Sequence, residues 1–189
     1  MDLIKYQTQA RHTAIYPEME GSDMIYPALG LVGECGEVAD KAKKIIRDSS
    51  NQLTPDRASA IAKELGDCCW YLANICYDLG LSLDMMYYMR GRAAAQSARE
   101  LPMSYLVIRM NMRASEIAKI LEDIHASGQD PMTVANRSGI QNHISYTITY
   151  IEAIAEYCGY TLSEICEANI ENLAGRKKRG TIHGDGDDR

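Results

Sequence analysis

Apolar side chains recur along this chain at helical intervals almost from end to end. Between residues 28 and 46 they fall at Ala28, Leu31, Val32, Cys35, Val38, Ala39, Ala42, Ile45 and Ile46. That i, i+3, i+4, i+7 rhythm is the buried stripe of an amphipathic helix. The pattern predicts seven helices. The first covers residues 3–15, and a Pro- and Gly-broken loop, Tyr16–Pro27, leads into the second, which ends near Asp48. The third opens at Pro55 with Thr54 as its cap, follows the stripe Ile61, Leu65, Cys68, Leu72, Ile75 and Cys76, and stops at Gly80. A fourth fills 80–102 up to Pro102, a fifth 104–126, a sixth roughly 135–158, and a seventh runs from Thr161 to about Arg176. SYTITYI at 145–151 is β-branched enough to compete as a strand, but no convincing two-residue alternation occurs elsewhere. The expected fold class is all-α.

Sliding the chain by 79 positions lays Tyr26 on Tyr105, Glu37 on Glu116, Ala39 on Ala118, Ile61 on Ile140, Tyr71 on Tyr150, Gly80 on Gly159 and Leu83 on Leu162. Identity is low, but the helix pattern and the matched GLSL and GYTL turns predict a degenerate internal duplication. The expected organisation is a single domain over 1–189. Within it, 1–101 forms a first repeat, 102–175 a second, and 176–189 a basic and then Gly/Asp-rich tail.

Composition narrows the function. A formal charge of −6 disfavours general nucleic-acid binding, and no apolar run is long enough to span a bilayer. The six cysteines mostly lie in apolar stripes without CxxC spacing, and the four histidines are scattered. With no signal-peptide pattern at the start, the expectation is a reducing cytoplasm and neither a disulfide scaffold nor a zinc site.

The candidate chemistry is acidic. Glu34 and Glu37 flank the stripe of the second helix, with Lys41 and Lys44 continuing their line, and Glu64 and Asp67 repeat the same i, i+3 spacing on the third. Alone, either pair reads as a solvated flank. Placed on two antiparallel helices beside the stripes that pack together, four carboxylates would share one groove. Their repulsion there is relieved by a divalent cation with a taste for hard oxygen, Mg²⁺ or Mn²⁺.

ALGLVGECGEVADKAKK followed by KELGDCCWYLA resembles the all-α nucleoside triphosphate pyrophosphohydrolases of MazG type, a superfamily that includes the dimeric dUTPases. Their ExxE motif is matched by Glu34 and Glu37, and their ExxD motif by Glu64 and Asp67. EANIENLAGRKKRGTIHGDGDD is similar to the family's closing segment, so that Asn169, Lys177, Lys178 and Arg179 match the positions that approach phosphates, and the YQTQAR opening fits as well. The resemblance implies a MazG-like helical bundle that uses Mg²⁺, with Mn²⁺ as a substitute, to cleave a (d)NTP into a (d)NMP and pyrophosphate, for nucleotide-pool cleaning or remodelling. Glu34, Glu37, Glu64 and Asp67 would be the metal ligands, and Glu37 the acceptor of the attacking water's proton. Lys41 and Lys44 would be phosphate contacts, and Gln7, Arg11, Trp70 and Asn74 base contacts. Purine triphosphates, dGTP first, are the substrates to test. A dUTPase- or dCTPase-type activity is the alternative within the superfamily, and a non-catalytic regulatory binding module the alternative outside it.

Under the duplication, Glu34 corresponds to Arg113, Glu64 to His143 and Asp67 to Tyr146, while Asn169 corresponds to Arg90. Each half then keeps what the other lost, and the chain would be a pseudo-dimer with one working site. The expected partners are a nucleoside triphosphate and further copies of the chain, as a dimer or tetramer, with no nucleic acid and no membrane.

Overall fold

A computed structural model describes residues 1–16, 24–49, 52–90, 96–128, 130 and 133–179. Most of the 16–27 loop, part of the turn before Thr54, the centre of the fourth expected helix and the tail beyond Arg179 lie outside the described residues. The helices that the described residues form are α1 Leu3–His12, α2 Ile25–Asp48, α3 Pro55–Asp78, α4 Leu83–Tyr88, α5 Met103–Ser127, α6 Val134–Tyr157 and α7 Leu162–Arg179. No strand occurs among the described residues, and the fold is all-α. The 145–151 segment lies inside α6, where Ser145, Thr147, Ile148, Thr149, Tyr150 and Ile151 are buried. Thr147 and Thr149 satisfy their hydroxyls on the carbonyls four residues back, so β-branching is accommodated in the helix. No helix among the described residues is long and apolar enough to cross a membrane.

Helix ends follow local chemistry. Thr54 and Thr133 cap α3 and α6 by accepting from the backbone N–H three residues on, and Asp2 and Ser82 do the same for α1 and α4. At the other ends Gly80 and Gly159 take left-handed φ of 62° and 83°. Leu81 N–H then reaches back to Cys76 O and Tyr160 N–H to Ala155 O, at 2.7 and 2.9 Å, closing the same Schellman turn twice. Two expected ends differ. α1 stops at His12 rather than continuing to 15, with Thr13 as its C-cap and the Thr13 hydroxyl donating to Ala10 O. The fourth helix stops at Tyr88 rather than running to 102; the described residues resume helical geometry only at 96–99.

α2 and α3 form an antiparallel hairpin, α5 and α6 a second, and the hairpins meet through α2 against α5 and α3 against α6. Contacts run Tyr26 to Tyr71, Cys35 to Cys68 and Lys41 to Glu64 along the first hairpin. α3 also packs on α1, α4 and α7, so it is the helix that others surround. Its composition allows this: Ala58, Ile61, Leu65, Gly66, Cys68, Cys69, Leu72, Ala73, Ile75 and Cys76 leave few bulky polar groups around its circumference. The expected stripe of α2 is buried at Ala28, Leu31, Cys35, Val38, Ala42 and Ile45, whereas Val32 and Ile46 are exposed at its edges. All six cysteines are buried free thiols.

Candidate acidic site

Because the middle of α3 is enclosed, Glu64 and Asp67 cannot be ordinary surface groups. Glu64 is only 3 % exposed and Asp67 is partly buried, both aimed at the α2 side, where Glu34 meets them. Carboxylate oxygens of Glu34, Glu64 and Asp67 all lie within 4.8 Å of one another. Burial and the charges of Asp67 and Glu64 push the Glu34 carboxyl up to about 8, helped by a hydrogen bond with Glu64. Burial and the Glu64 charge lift Asp67 to about 6, against the opposing pull of Arg176, Lys63 and Asn169. An all-oxygen donor set whose members resist ionising together fits a hard divalent cation.

Glu37 is not part of this trio. One turn after Glu34 its side chain is 60 % exposed and touches Lys41 at 3.9 Å. Lys41 instead turns inward to Glu64, with Nζ to Oε1 at 3.1 Å, so the lysine bridges the inner and outer carboxylates.

The neighbouring helices hold Asp67 in place. Asn169 on α7 donates Nδ2–H to Asp67 Oδ1 at 2.8 Å, and its Oδ1 accepts from the Tyr6 hydroxyl of α1 at 2.9 Å. The tyrosine thereby decides which way the amide points. Asn169 thus contacts a carboxylate rather than standing free for phosphate. Gly66 permits this: a Cβ there would lie 3.0 Å from Asn169 Cβ. One helical face further along α7, seven residues on, Arg176 is buried and acts on Asp67 by charge. Sequence reasoning passed over Arg176 in favour of its neighbours, although the Asn169-to-Arg176 spacing places both on one face. Lys177 donates to His12 O at 2.9 Å, and Lys178 and Arg179 are exposed. Lys44 pairs with Asp40, away from the carboxylates. A cleft of about 440 Å³ opens beside Asp67 between α3 and α7, bounded by Lys63, Gly66, Tyr160, Glu164 and Asn169.

The residues expected at a base divide into structural and accessible groups. Gln7 is held by Leu81 O and Leu83 N–H, tying α1 to the start of α4. Asn74 is fully buried and donates to Trp70 O. Arg11 pairs with Asp78 at 2.9 Å and donates to the Tyr16 hydroxyl. Trp70 donates Nε1–H to Thr13 and stands edge-on to Tyr71 and Tyr16, which in turn stacks on Tyr26 at 5.0 Å. These four rings form an aromatic wall one turn along α3 from Asp67. The Tyr71 ring covers Gly30, where a Cβ would lie 2.1 Å from it. Tyr16, Tyr26 and Tyr71 escape a linear reading because only the packing of α2 on α3 brings them to Trp70.

No family model and no solved structure matches the chain. A relative is found in the Gene 37 protein of Mycobacterium phage L5, 43% identical over 82 residues that make up 41% of this chain and 72% of that protein. At that identity over most of the relative's length, the chain belongs to the family of the phage L5 Gene 37 protein.

Proposed function

We propose that this chain is a Mg²⁺-dependent nucleoside triphosphate pyrophosphohydrolase that converts a (d)NTP to a (d)NMP and pyrophosphate. The observation that carries the reading is the convergence of Glu34, Glu64 and Asp67 from two antiparallel helices into one partly buried trio. These three would hold the metal, which when bound supplies positive charge to the phosphates and lowers the pKa of a coordinated water. The remaining steps belong to the chain. Tyr6 and Asn169 fix the Asp67 carboxylate, Arg176 favours its ionised form, and Lys41 balances Glu64. Glu37, exposed at the mouth, accepts the proton of the attacking water. The aromatic wall of Tyr16, Tyr26, Trp70 and Tyr71 offers a stacking surface for a base, consistent with the lean towards purine triphosphates. A relative from a phage suits remodelling of a nucleotide pool.

The second part of the reading is the internal duplication. α2 and α5, and α3 and α6, begin 78 or 79 positions apart, and the Thr54 and Thr133 caps and Gly80 and Gly159 turns recur at 79. In the pseudo-dimer so formed the first repeat supplies the carboxylates and the second supplies Asn169, with Arg176 following where α7 runs on into the tail.

The test is incubation of the full-length chain with Mg²⁺ and a panel of (d)NTPs, with products identified by ³¹P NMR. Monophosphate plus pyrophosphate is expected, lost in Asp67→Asn with the helical CD signal intact. Absence of turnover with every nucleotide, or full activity in Asp67→Asn, would overturn the proposal.

A further inference from the structure

At the positions 79 residues beyond Glu34, Glu64 and Asp67 stand Arg113, His143 and Tyr146, and the position 79 before Asn169 holds Arg90. The structure brings these four together as well. Arg113 Nη1 lies 3.4 Å from His143 Nδ1, and its guanidinium carbon sits 4.5 Å from the centre of the Tyr146 ring. Arg90 lies 3.8 Å over the same ring, donates to Ser145 Oγ at 3.2 Å and also donates to Asn142 Oδ1. A cavity of about 400 Å³ opens against this cluster, with Arg109, Met112 and Arg113 from α5 facing Tyr146, Thr149 and Tyr150 from α6.

The hydrogen-bond partners of Arg90 and Arg113 are neutral. Among the described residues no ion pair engages Arg90, Arg109 or Arg113. Glu116, one turn along α5, acts on His143 by charge but forms no ion pair with them. Arg90 and Arg113 at Tyr146, and Arg109 on the wall of the adjoining cavity, thus have no ion-paired carboxylate in a protein of net charge −6. Arg109 and Arg113, one turn apart on the cavity wall, present planar forks suited to phosphate oxygens. Met112 and the Tyr146–Tyr150 pair, stacked at 6.0 Å, line the rest with apolar and aromatic surface. The volume suits a small ligand.

The geometry points to a metal-independent anion site in the second hairpin, the charge-inverted counterpart of the acidic trio, binding the phosphate of a nucleoside monophosphate through Arg109 and Arg113. This holds whether or not the acidic trio is catalytic. The two sites answer to different conditions, since carboxylates need a cation to accept phosphate and guanidiniums do not.

Isothermal titration in EDTA, with dGMP and inorganic phosphate as separate probes, tests the assignment. Wild-type chain is expected to bind dGMP more tightly than inorganic phosphate. Arg113→Gln should weaken dGMP at least tenfold, and Arg109→Gln, at an exposed position where folding is undisturbed, at least threefold. Absence of dGMP binding at millimolar concentration, or unchanged affinity in Arg109→Gln, overturns the site. Equal affinity for the two probes overturns its assignment to nucleoside phosphates.

Discussion

Replacing Glu34 with Gln is the sharpest probe of the acidic trio, because it separates the cost of crowding carboxylates from their use. The ordinary value of 4.5 for this carboxyl rises to about 8 in the folded chain, through burial and the charges of Asp67 and Glu64. Between those two values the folded state holds its proton more tightly than the unfolded state. The stabilisation is therefore complete below pH 4.5 and is lost as pH climbs through 8. At about 1.4 kcal/mol per tenfold change, the window has a ceiling of about 5 kcal/mol. Glu34 is only half-buried, so solvent screening reduces this to about 2 kcal/mol. Gln removes the titration. Without metal at pH 8, Glu34→Gln should be more stable than wild type by about 2 kcal/mol, or roughly 4–8 °C in Tm for a chain of this length. At pH 5 the two should melt together. Adding Mg²⁺ at pH 8 should raise the wild-type Tm and close most of the gap, through preferential binding to the folded state. Calorimetry in EDTA and in Mg²⁺ at both pH values gives the four numbers required. Wild-type and variant Tm values that shift in parallel from pH 5 to 8 would refute the crowding argument, and a variant that gains as much from Mg²⁺ as wild type would refute the metal assignment.

Four further outcomes follow from the packing. Gly66→Ala sets a Cβ 3.0 Å from Asn169 Cβ, so pyrophosphohydrolase assays should show a fall of about tenfold or more in kcat with the helical CD spectrum retained. Arg176→Gln removes a positive charge that opposes the rise of Asp67 above its ordinary range; the acid limb of the pH–rate profile should move to higher pH than in wild type. Gly30→Ala meets the Tyr71 ring at 2.1 Å and should displace it, seen as a changed near-UV CD signal and a Tm lowered by several degrees, at about 1–3 kcal/mol for overpacking. Leu65→Ala, fully buried on α3, should cost about 2–5 kcal/mol in denaturant unfolding.

Much of this architecture was legible in the linear order of residues. The core stripe of α3 from Ile61 to Cys76 is buried along its whole length, and the Thr54 cap and the Gly80 and Gly159 turns fall where the pattern puts them. These features depend on neighbours within one or two turns, so sequence spacing suffices to place them. The two carboxylate pairs from which the candidate trio is drawn, Glu34 with Glu37 and Glu64 with Asp67, were readable in the same way, beside two stripes.

What spacing leaves open is which flanking residue turns inward. Glu34 and Glu37 occupy similar positions beside one stripe, yet Glu34 joins Glu64 and Asp67 while Glu37 reaches water. The difference arises from the crossing of α2 on α3, which a single helix does not specify. Asn169 and Arg176 act on Asp67 only because α7, about a hundred residues later, docks on the far side of α3. Tyr16, Tyr26 and Tyr71 likewise become one wall with Trp70 only when α2 and the segment after α1 close on α3. Sequence alone determined the helices, their caps and the carboxylate pairs, because short-range sterics and periodicity act within a few residues. Tertiary structure decided the membership of the site, its electrostatics and its charge-inverted counterpart, because burial and Coulomb interaction depend on distances that only packing sets.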